Sequence, residues 1–184
     1  MFSIRSLASP LKVCQRAFVK QNYVTAVTGA TALNVFQNSC YSKINFKINE
    51  NSCAKEAISR FTAFNVGCLA VVDDSNAVVG VCAERDYISK VVALDKNPLN
   101  IKVKDICTYG PTIIVARADD SIHTCMNKML FKEIRHLIIM DNNNDCIGMI
   151  SIRDLIKEIV KDNKESITRL TDFNLGKGAY LGSE

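Results

Sequence analysis

The chain of 184 residues is 48% hydrophobic and 23% charged, which suffices for one ordinary domain, or two small ones, with a buried core. It contains no run of about 20 apolar residues, so the sequence argues against a membrane span. Residues 1–43 contain five basic residues and no acidic one, and the remaining 18 basic and 19 acidic residues nearly balance, which argues against nucleic-acid binding.

Residues 1–42 have the composition of a mitochondrial transit peptide. Arg5, Lys12 and Arg16 lie among apolar residues, and the first carboxylate of the chain is Glu50. The alternative is a disordered N-terminal arm that merely lacks acidic residues. We predict a transit peptide or disordered leader over residues 1–42 and, with it, a location in the mitochondrial matrix.

The rest of the chain contains an internal repeat. Residues 67–92 align without a gap with residues 135–160, at an offset of 68. Upstream of each copy, apolar residues recur at i, i+3, i+4 and i+7, the pattern of one helix face. The identical pairs include Leu69/Leu137, Asp73/Asp141, Asn76/Asn144, Gly80/Gly148, Arg85/Arg153, Asp86/Asp154 and Ile88/Ile156.

In chain order, each copy predicts the same succession of elements. An extended segment precedes a helix, which polar residues at Asn51–Ser52 and Asp119–Ser121 can cap. Two apolar runs joined by a turn-rich connector follow as a hairpin, and a second helix completes the copy. The predicted strands are 44–48, 69–72 and 78–82 in the first copy and 112–116, 137–140 and 147–150 in the second.

These elements predict a mixed α/β (α+β) fold made of two strand–helix–strand–strand–helix repeats of about 50 residues. Units that short rarely bury enough surface alone, so we expect the two to pack as one pseudo-twofold module. The predicted divisions are the leader at 1–42, repeat 1 at 43–93, a linker at 94–104, repeat 2 at 105–162 and a C-terminal tail at 163–184.

The cysteines and histidines carry no metal-site signature. The eight cysteines form no Cys-x-x-Cys pair, and His123 and His136 are the two histidines of the sequence. A structural zinc site requires thiolates or imidazoles at short spacing, so we expect no metal. Several cysteines fall in apolar runs, which favours buried, unreactive thiols.

Two heptads within the repeat carry a family resemblance. Residues 148–154, GMISIRD, match the G-h-h-S/T-x-x-D motif of the CBS (cystathionine beta-synthase) domain family in full. Residues 80–86, GVCAERD, match it except at Ala83. The chain resembles a tandem CBS pair, or Bateman module, over about residues 43–162. Its layout is similar to that of the stand-alone CBS-pair proteins of mitochondria and alphaproteobacteria.

The resemblance implies a binding site for adenosine nucleotides, which CBS pairs hold in clefts between their repeats. Asp154 would accept hydrogen bonds from the ribose hydroxyls, and Ser151 would offer a hydroxyl and a helix N-terminus to a phosphate. The other implied contacts are Arg153, Arg135 and His136 to phosphate, Thr112 and Ile114 beside the adenine, and Asp86 with Arg85 from the first repeat.

Five of the implied contact residues also have an interpretation without a ligand. Asp154 and Asp86 suit the first turn of a helix, and the same holds for Ser151. Arg153 could be a solvated side chain on a helix surface, and His136 could be a packing residue at the start of a strand.

The first repeat departs from the motif. Ala83 replaces the hydroxyl residue, and Gly67 and Cys68 stand where Arg135 and His136 stand in the second repeat. The sequence therefore predicts asymmetry, with a competent site at Asp154 and a weakened or nucleoside-only site at Asp86.

The predicted function is regulation rather than catalysis. The sequence offers no nucleophile–base pair, no phosphate-binding glycine loop and no metal cluster, so we predict no catalytic residues and no obligatory cofactor. We expect a mitochondrial module that binds AMP, ADP or ATP, forms a homodimer and alters a partner protein, which the resemblance suggests could belong to the thioredoxin system. The alternatives are a ligand-free scaffold dimer and a protein that binds S-adenosyl compounds.

Overall fold

The computed structural model describes residues 29–175, so residues 1–28 of the predicted leader and the last nine residues of the tail lie outside the described part. The helices are α1 (Ala32–Asn38), α2 (Ala54–Phe64), α3 (Glu84–Tyr87), α4 (Val103–Ile106), α5 (Ile122–Phe131) and α6 (Ile152–Asn174). The strands are β1 (Lys47–Asn49), β2 (Cys68–Val72), β3 (Val78–Ala83), β4 (Thr108–Tyr109), β5 (Val115–Arg117), β6 (His136–Met140) and β7 (Cys146–Ser151). Shorter turns are 3₁₀ at Cys40–Lys43 and Gly110–Thr112, and π-helical at Ile88–Val92.

The chain divides into two compact units, which we call the first and the second unit. Among the described residues, the first unit holds Lys47–Ile113, and the second unit holds residues 29–46 and 114–175. Each unit contains one sheet and the helices that follow its strands.

The first unit is built on a four-stranded sheet in the order β1-β2-β3-β4. β1 runs parallel to β2, β2 and β3 form an antiparallel hairpin, and β4 pairs with the far edge of β3. All five residues of β2 are buried, as expected for a central strand. Helix α2 buries Ala54, Ala57 and Phe61, which share one face at helical spacing.

The second unit repeats this plan with a three-stranded sheet in the order β5-β6-β7. β5 is parallel to β6, and β6 and β7 form the antiparallel hairpin. Its core contains buried residues of every layer, namely Ala32 and Val35 of α1, Ile122, Cys125 and Met129 of α5, Leu137, Ile139 and Ile150 of the sheet, Ala116 of β5 and Leu155 of α6.

The structure confirms the predicted α/β fold with its strand–helix–strand–strand–helix order in both units. Both predicted hairpins occur, with strand ends within one residue of the expected ones. The capping prediction is correct for α5, where the Ser121 hydroxyl accepts a hydrogen bond from the backbone N–H of Thr124 at 3.1 Å. It is wrong for α2, which begins after Cys53 without a side-chain cap, because Asn51 and Ser52 lie in the preceding turn.

Helix α1 corrects the predicted leader. Residues 31–42 are folded into the second unit, with Ala32, Val35 and Tyr41 all buried. Thr31 and Asn34 form a reciprocal capping box, and the N–H of Ala32 donates to the carbonyl of Asp120 at 2.8 Å. The leader prediction is therefore wrong for this segment, because tertiary burial rather than composition determines where the fold begins. The rest of the predicted leader lies outside the described residues.

Further boundaries differ from those predicted. The first strand of each unit lies later than expected, at Lys47–Asn49 rather than 44–48 and at Val115–Arg117 rather than 112–116, where Gly110–Thr112 forms a 3₁₀ turn. The end of the predicted linker at 94–104 has regular structure. Lys102 forms an isolated antiparallel β-bridge with Cys53, and α4 begins at Val103. Strand β4 was not predicted, because two residues carry no periodicity. Helix α6 passes through the predicted repeat end at residue 162 and continues to Asn174, so the tail is helical over most of its described length.

The repeated glycines Gly80 and Gly148 each allow a close approach by an element that is not part of the strand–helix–strand–strand–helix order. A Cβ atom at Gly80 would lie 2.8 Å from the backbone oxygen of Thr108, the residue that begins β4. A Cβ atom at Gly148 would lie 2.8 to 3.0 Å from ring atoms of Phe36 on α1. The glycine of the motif thus serves packing in both units.

Within residues 29–175, none of the helices combines the length and the apolar character that crossing a bilayer would demand.

Candidate ligand-binding site

The junction between β7 and α6 holds the two central residues of the predicted site. Ser151 is the N-cap of α6, and Asp154 is the third residue of the helix. The Asp154 Oδ2 atom accepts hydrogen bonds from the Ser151 backbone N–H at 2.9 Å and from the Ser151 hydroxyl at 2.6 Å. The Ser151 hydroxyl in turn accepts from the backbone N–H of Asp154 at 3.3 Å. This is a capping box, so the helix-start interpretation of both residues is realised.

The Asp154 carboxylate nevertheless keeps one oxygen available. The residue is only 6% exposed, and both of its side-chain hydrogen bonds fall on Oδ2. Within residues 29–175 the Oδ1 atom has no hydrogen-bond donor. The carboxylate lies in the first turn of a 23-residue helix, where the helix dipole attracts negative charge. An ionised carboxylate with a free oxygen is an acceptor for hydroxyl groups of a ligand.

Ser151 is committed to Asp154 rather than to a phosphate. Its hydroxyl proton is donated to Asp154 Oδ2, so the geometry gives Ser151 the task of holding that carboxylate in place. The expected contact from the Ser151 hydroxyl to a phosphate would require this bond to break. Its phosphate role therefore stays a prediction, and its positioning role is what the structure describes.

His136 does not carry the charge expected of a phosphate contact. It pairs with Ser151 in the β6–β7 register, and its ring packs edge-on against Tyr41 with centroids 6.1 Å apart. Burial lowers the pKa of His136 to about 4, and the positive Arg135 beside it adds to this, against the opposing effect of Asp154. The imidazole is neutral at pH 7. The ring contact with Tyr41 agrees with the packing interpretation of His136, and its contact to phosphate stays a prediction.

Arg135 and Arg153 are exposed cations at the same junction. The backbone oxygen of Arg135 accepts from the N–H of Ile152 at 2.9 Å, which holds the start of α6 beside β6. Over the described part of the chain, neither guanidinium takes part in a hydrogen bond or an ion pair. Both are free to bind an anionic group near Asp154.

The two residues expected beside the adenine belong to different units. Thr112 is an exposed residue of the first unit, and its hydroxyl donates to the Tyr109 carbonyl at 3.0 Å. Ile114 belongs to the second unit and packs against its hydrophobic core. The adenine role of both residues stays a prediction.

The corresponding junction of the first unit, between β3 and α3, is satisfied differently. Asp86 is again the third residue of the helix, and its Oδ2 atom accepts from the backbone N–H of Ala83 at 3.0 Å. Ala83 has no hydroxyl, so the capping box is only half formed. The Asp86 Oδ1 atom lies 3.5 Å from the ammonium of Lys90. Arg85 is exposed on the same helix.

Lys90 is a residue that the sequence analysis missed. Its ammonium also donates hydrogen bonds to the backbone oxygens of Ile106 and Cys107, at the end of α4. The aligned position in the second repeat is Glu158. This reversal of charge, four residues after each aspartate, was the signal in the sequence.

The described cysteines form no disulfide bonds with one another, and several are deeply buried. Burial raises the pKa of Cys82 to about 12, of Cys107 to about 11 and of Cys125 to about 12. Such thiols remain protonated at neutral pH and react slowly. Among residues 29–175, no three cysteine, histidine or acidic side chains cluster in a way that could hold a metal ion.

Comparison with known proteins identifies the repeat. The family model of the CBS domain matches residues 47–93 and 103–161, which is more than half of the chain. The CBS domain-containing protein CBSX3, mitochondrial, of Arabidopsis thaliana is 30% identical over 123 residues, which is 66% of this chain. The match spans 59% of the length of that relative.

Solved structures share the fold. A protein with CBS domains from Burkholderia ambifaria is 27% identical, with a TM-score of 0.65, over 72% of this chain and 96% of that one. A CBS domain protein from Pyrobaculum aerophilum, complexed with AMP, is 24% identical with a TM-score of 0.54, over 62% of this chain and 90% of that one. A CBS domain pair in complex with 5′-methylthioadenosine and S-adenosyl-L-methionine is 22% identical with a TM-score of 0.56, over 66% and 93%.

Proposed function

Because the chain belongs to the CBS domain family, we propose that it is a regulatory protein that binds an adenine nucleotide at the junction between β7 and α6. The observation that carries this proposal is the Asp154 carboxylate. It is nearly buried, it is fixed through Oδ2 by Ser151, and its Oδ1 atom is left for a ligand. The two hydroxyls of a ribose are donors suited to such an acceptor.

The surrounding charges favour a ligand that carries phosphate. Arg135 and Arg153 provide two exposed guanidinium groups, each able to bind phosphate oxygens in a bidentate manner. The neutral His136 and the committed hydroxyl of Ser151 leave these arginines as the donors for the anionic end. We therefore favour AMP, ADP or ATP over S-adenosyl compounds.

The known ligands of similar structures support an adenosine group. AMP is bound to the Pyrobaculum protein, and 5′-methylthioadenosine and S-adenosyl-L-methionine to the CBS domain pair described above. All three ligands contain an adenine and a ribose, and they differ in the charge beyond the ribose. In this proposal Asp154 binds the ribose that the three ligands share, and Arg135 and Arg153 favour the ligands that carry phosphate.

The regulatory and mitochondrial parts of the proposal rest on other support. The acid-free residues 1–42 and the mitochondrial Arabidopsis relative favour the mitochondrial matrix. We propose that the protein acts as a homodimer whose ligand changes its effect on a partner protein, for which the thioredoxin system is the candidate. Ligand binding would favour one conformation over another, and the partner would respond to that shift.

The test is isothermal titration calorimetry on the full chain with AMP, ADP, ATP, adenosine and S-adenosylmethionine. The matched variants are Asp154→Asn and Asp86→Asn, which keep shape and remove charge. Loss of a charge-assisted hydrogen bond costs about 1.5–3 kcal/mol, so Asp154→Asn should weaken nucleotide binding about 10- to 100-fold. Asp86→Asn should change it less than about threefold.

The arginines are tested by the double variant Arg135→Met with Arg153→Met. It should weaken ATP binding about tenfold and leave adenosine binding unchanged, because adenosine carries no phosphate. Absence of binding by every ligand would favour a ligand-free scaffold dimer. Tighter binding of S-adenosylmethionine than of any nucleotide would favour a protein that binds S-adenosyl compounds. Greater sensitivity to Asp86→Asn than to Asp154→Asn would overturn the site assignment.

A further inference from the structure

We propose that Lys90 closes the first unit to nucleosides by occupying the carboxylate of Asp86 with its own ammonium group. This inference rests on the proposed function, since it assumes that the carboxylate at this position of a CBS repeat is what receives a ribose. It makes Lys90 the residue that determines how many ligands one chain binds.

The carboxylate of Asp86 is satisfied from within its own unit. One oxygen accepts the N–H of Ala83 at 3.0 Å, and the other lies 3.5 Å from the Lys90 ammonium. In the second unit, by contrast, both hydrogen bonds to Asp154 converge on one oxygen. A ribose hydroxyl that approached Asp86 would have to displace a cation, and one that approached Asp154 would not.

Lys90 is held in this position by more than its ion pair. Its ammonium donates to the carbonyls of Ile106 and Cys107, which are the last carbonyls of α4 and carry the negative end of the helix dipole. An ammonium group has three protons, and the carboxylate and two carbonyls provide three acceptors. Two carbonyl hydrogen bonds and one ion pair therefore hold the ammonium beside Asp86, so that withdrawing it has an energetic cost.

Among the described residues of the second unit, no cation is paired with Asp154. The residue aligned with Lys90 is Glu158, which is acidic and therefore cannot neutralise the charge of Asp154. Its carboxylate lies 3.3 Å from the ammonium of Lys161. Lys90 also lies within the π-helical turn Ile88–Val92, whereas the aligned residues of α6 are regular α-helix. Such a turn inside a helix frequently marks a functional position.

The experiment uses adenosine as the probe, because the first unit lacks the arginine and histidine aligned with Arg135 and His136. All variants are made in full-length Asp154→Asn, so that the second unit no longer contributes. Lys90→Met keeps the aliphatic stem and removes the charge, and Lys90→Arg keeps the charge. Lys161→Met is the matched control, since it removes an exposed lysine paired at i−3 on α6.

In the Asp154→Asn background, adding Lys90→Met should increase adenosine affinity at least tenfold, and adding Lys90→Arg or Lys161→Met should leave it unchanged. A third change, Asp86→Asn, should abolish the gain. Lys90→Gln, which removes the charge but retains a donor for the Ile106 carbonyl, provides the same test if Lys90→Met unfolds. Circular dichroism melting confirms that each variant is folded.

The inference is overturned if neither Lys90→Met nor Lys90→Gln gains adenosine binding, or if the gain survives Asp86→Asn. It is also overturned if the unmodified chain binds two AMP molecules with similar affinity. Failure of the proposed function looks different, because the unmodified chain would then bind no AMP at all. The Lys90 variants would still report on Asp86 in that case.

Discussion

The two junctions of this protein have the same backbone plan and different side-chain chemistry. In both, an aspartate is the third residue of a helix that follows a hairpin, and one carboxylate oxygen accepts the N–H of the N-cap residue. Asp154 receives a second bond from a serine hydroxyl on that same oxygen, and Asp86 receives a lysine ammonium on the other. Both copies of the motif thus place a carboxylate at the same position. We infer that the residue one turn later, Lys90 or Glu158, determines whether that carboxylate can accept hydrogen bonds from a ligand.

The repeated glycines make the same point about packing. Gly80 makes room for a backbone oxygen at the start of β4, and Gly148 makes room for the ring of Phe36. Neither β4 nor α1 belongs to the strand–helix–strand–strand–helix order that the two units share. A different element thus packs against the same motif position in each unit. Four experiments can test how far the two units are equivalent.

The largest effect should follow from removing α1. A chain that begins at Lys47, where the family match starts, lacks the buried residues Ala32, Val35 and Tyr41. Loss of a large core side chain costs about 2–5 kcal/mol, so losing Val35 and Tyr41 should lower the free energy of unfolding of the second unit by at least about 4 kcal/mol. Urea denaturation followed by circular dichroism measures this. A chain that begins at residue 29 is the control, and equal stability of the two would mean that α1 is dispensable.

The second largest effect should follow from replacing the motif glycines, and it should differ between the two units. Gly80→Ala and Gly148→Ala should each cost about 1–3 kcal/mol through overpacking. Gly80→Ala should cost more, because the obstructing atom belongs to paired backbone, whereas Phe36 can move its ring. Adding Phe36→Leu should recover part of the loss in Gly148→Ala and none in Gly80→Ala. Recovery of both variants, measured by chemical denaturation, would refute this account of the motif glycine.

The pH dependence due to His136 should belong to the second unit, because Cys68 stands at the aligned position in the first. The folded pKa of about 4 lies below the ordinary value of 6.5, so the unfolded chain takes up the proton first as the pH falls. The stability due to a neutral His136 is therefore complete above about pH 6.5 and declines toward pH 4, by roughly 1–3 kcal/mol. His136→Gln should remove this decline from the difference between unfolding free energies at pH 7 and pH 4.5. The exposed His123, replaced by Gln, serves as the control, and an equal effect of both would contradict the prediction.

The smallest effect concerns the capping residues. Ser151→Ala should cost about 1 kcal/mol, because it removes the hydroxyl that the capping box shares with Asp154. Ala83→Ser should stabilise the first unit by up to about 1 kcal/mol, because it completes the other half of that box at Asp86. Thermal unfolding of the two single variants measures both changes. A stabilising Ser151→Ala would show that the hydroxyl bond to Asp154 is strained.

The sequence predicted the parts of the fold that depend on periodicity. The alternation and spacing of apolar residues located both hairpins and the order of elements around them, because burial on one face imposes that pattern. The same repeat directed attention to Asp86 and Asp154. It did so because a carboxylate at the start of a helix has a local, sequence-readable cause.

The sequence did not predict what tertiary packing decides. Helix α1 follows a basic, acid-free segment, and its burial depends on contacts with residues about 85 positions later. The two residues of β4 are too few for periodicity to show. The pKa of His136 and the ion pair of Lys90 arise from neighbours that only the folded chain supplies.

The raised pKa values of the buried thiols have a consequence for kinetics. Cys82 lies in the first unit and Cys125 in the second, both protonated and shielded, whereas Cys40 is exposed. An alkylating reagent would modify Cys40 at once and would reach the other two only when the surrounding core opens. The mass of the labelled peptides over time would therefore read out, without any engineered probe, whether the two halves of the molecule open together or one before the other.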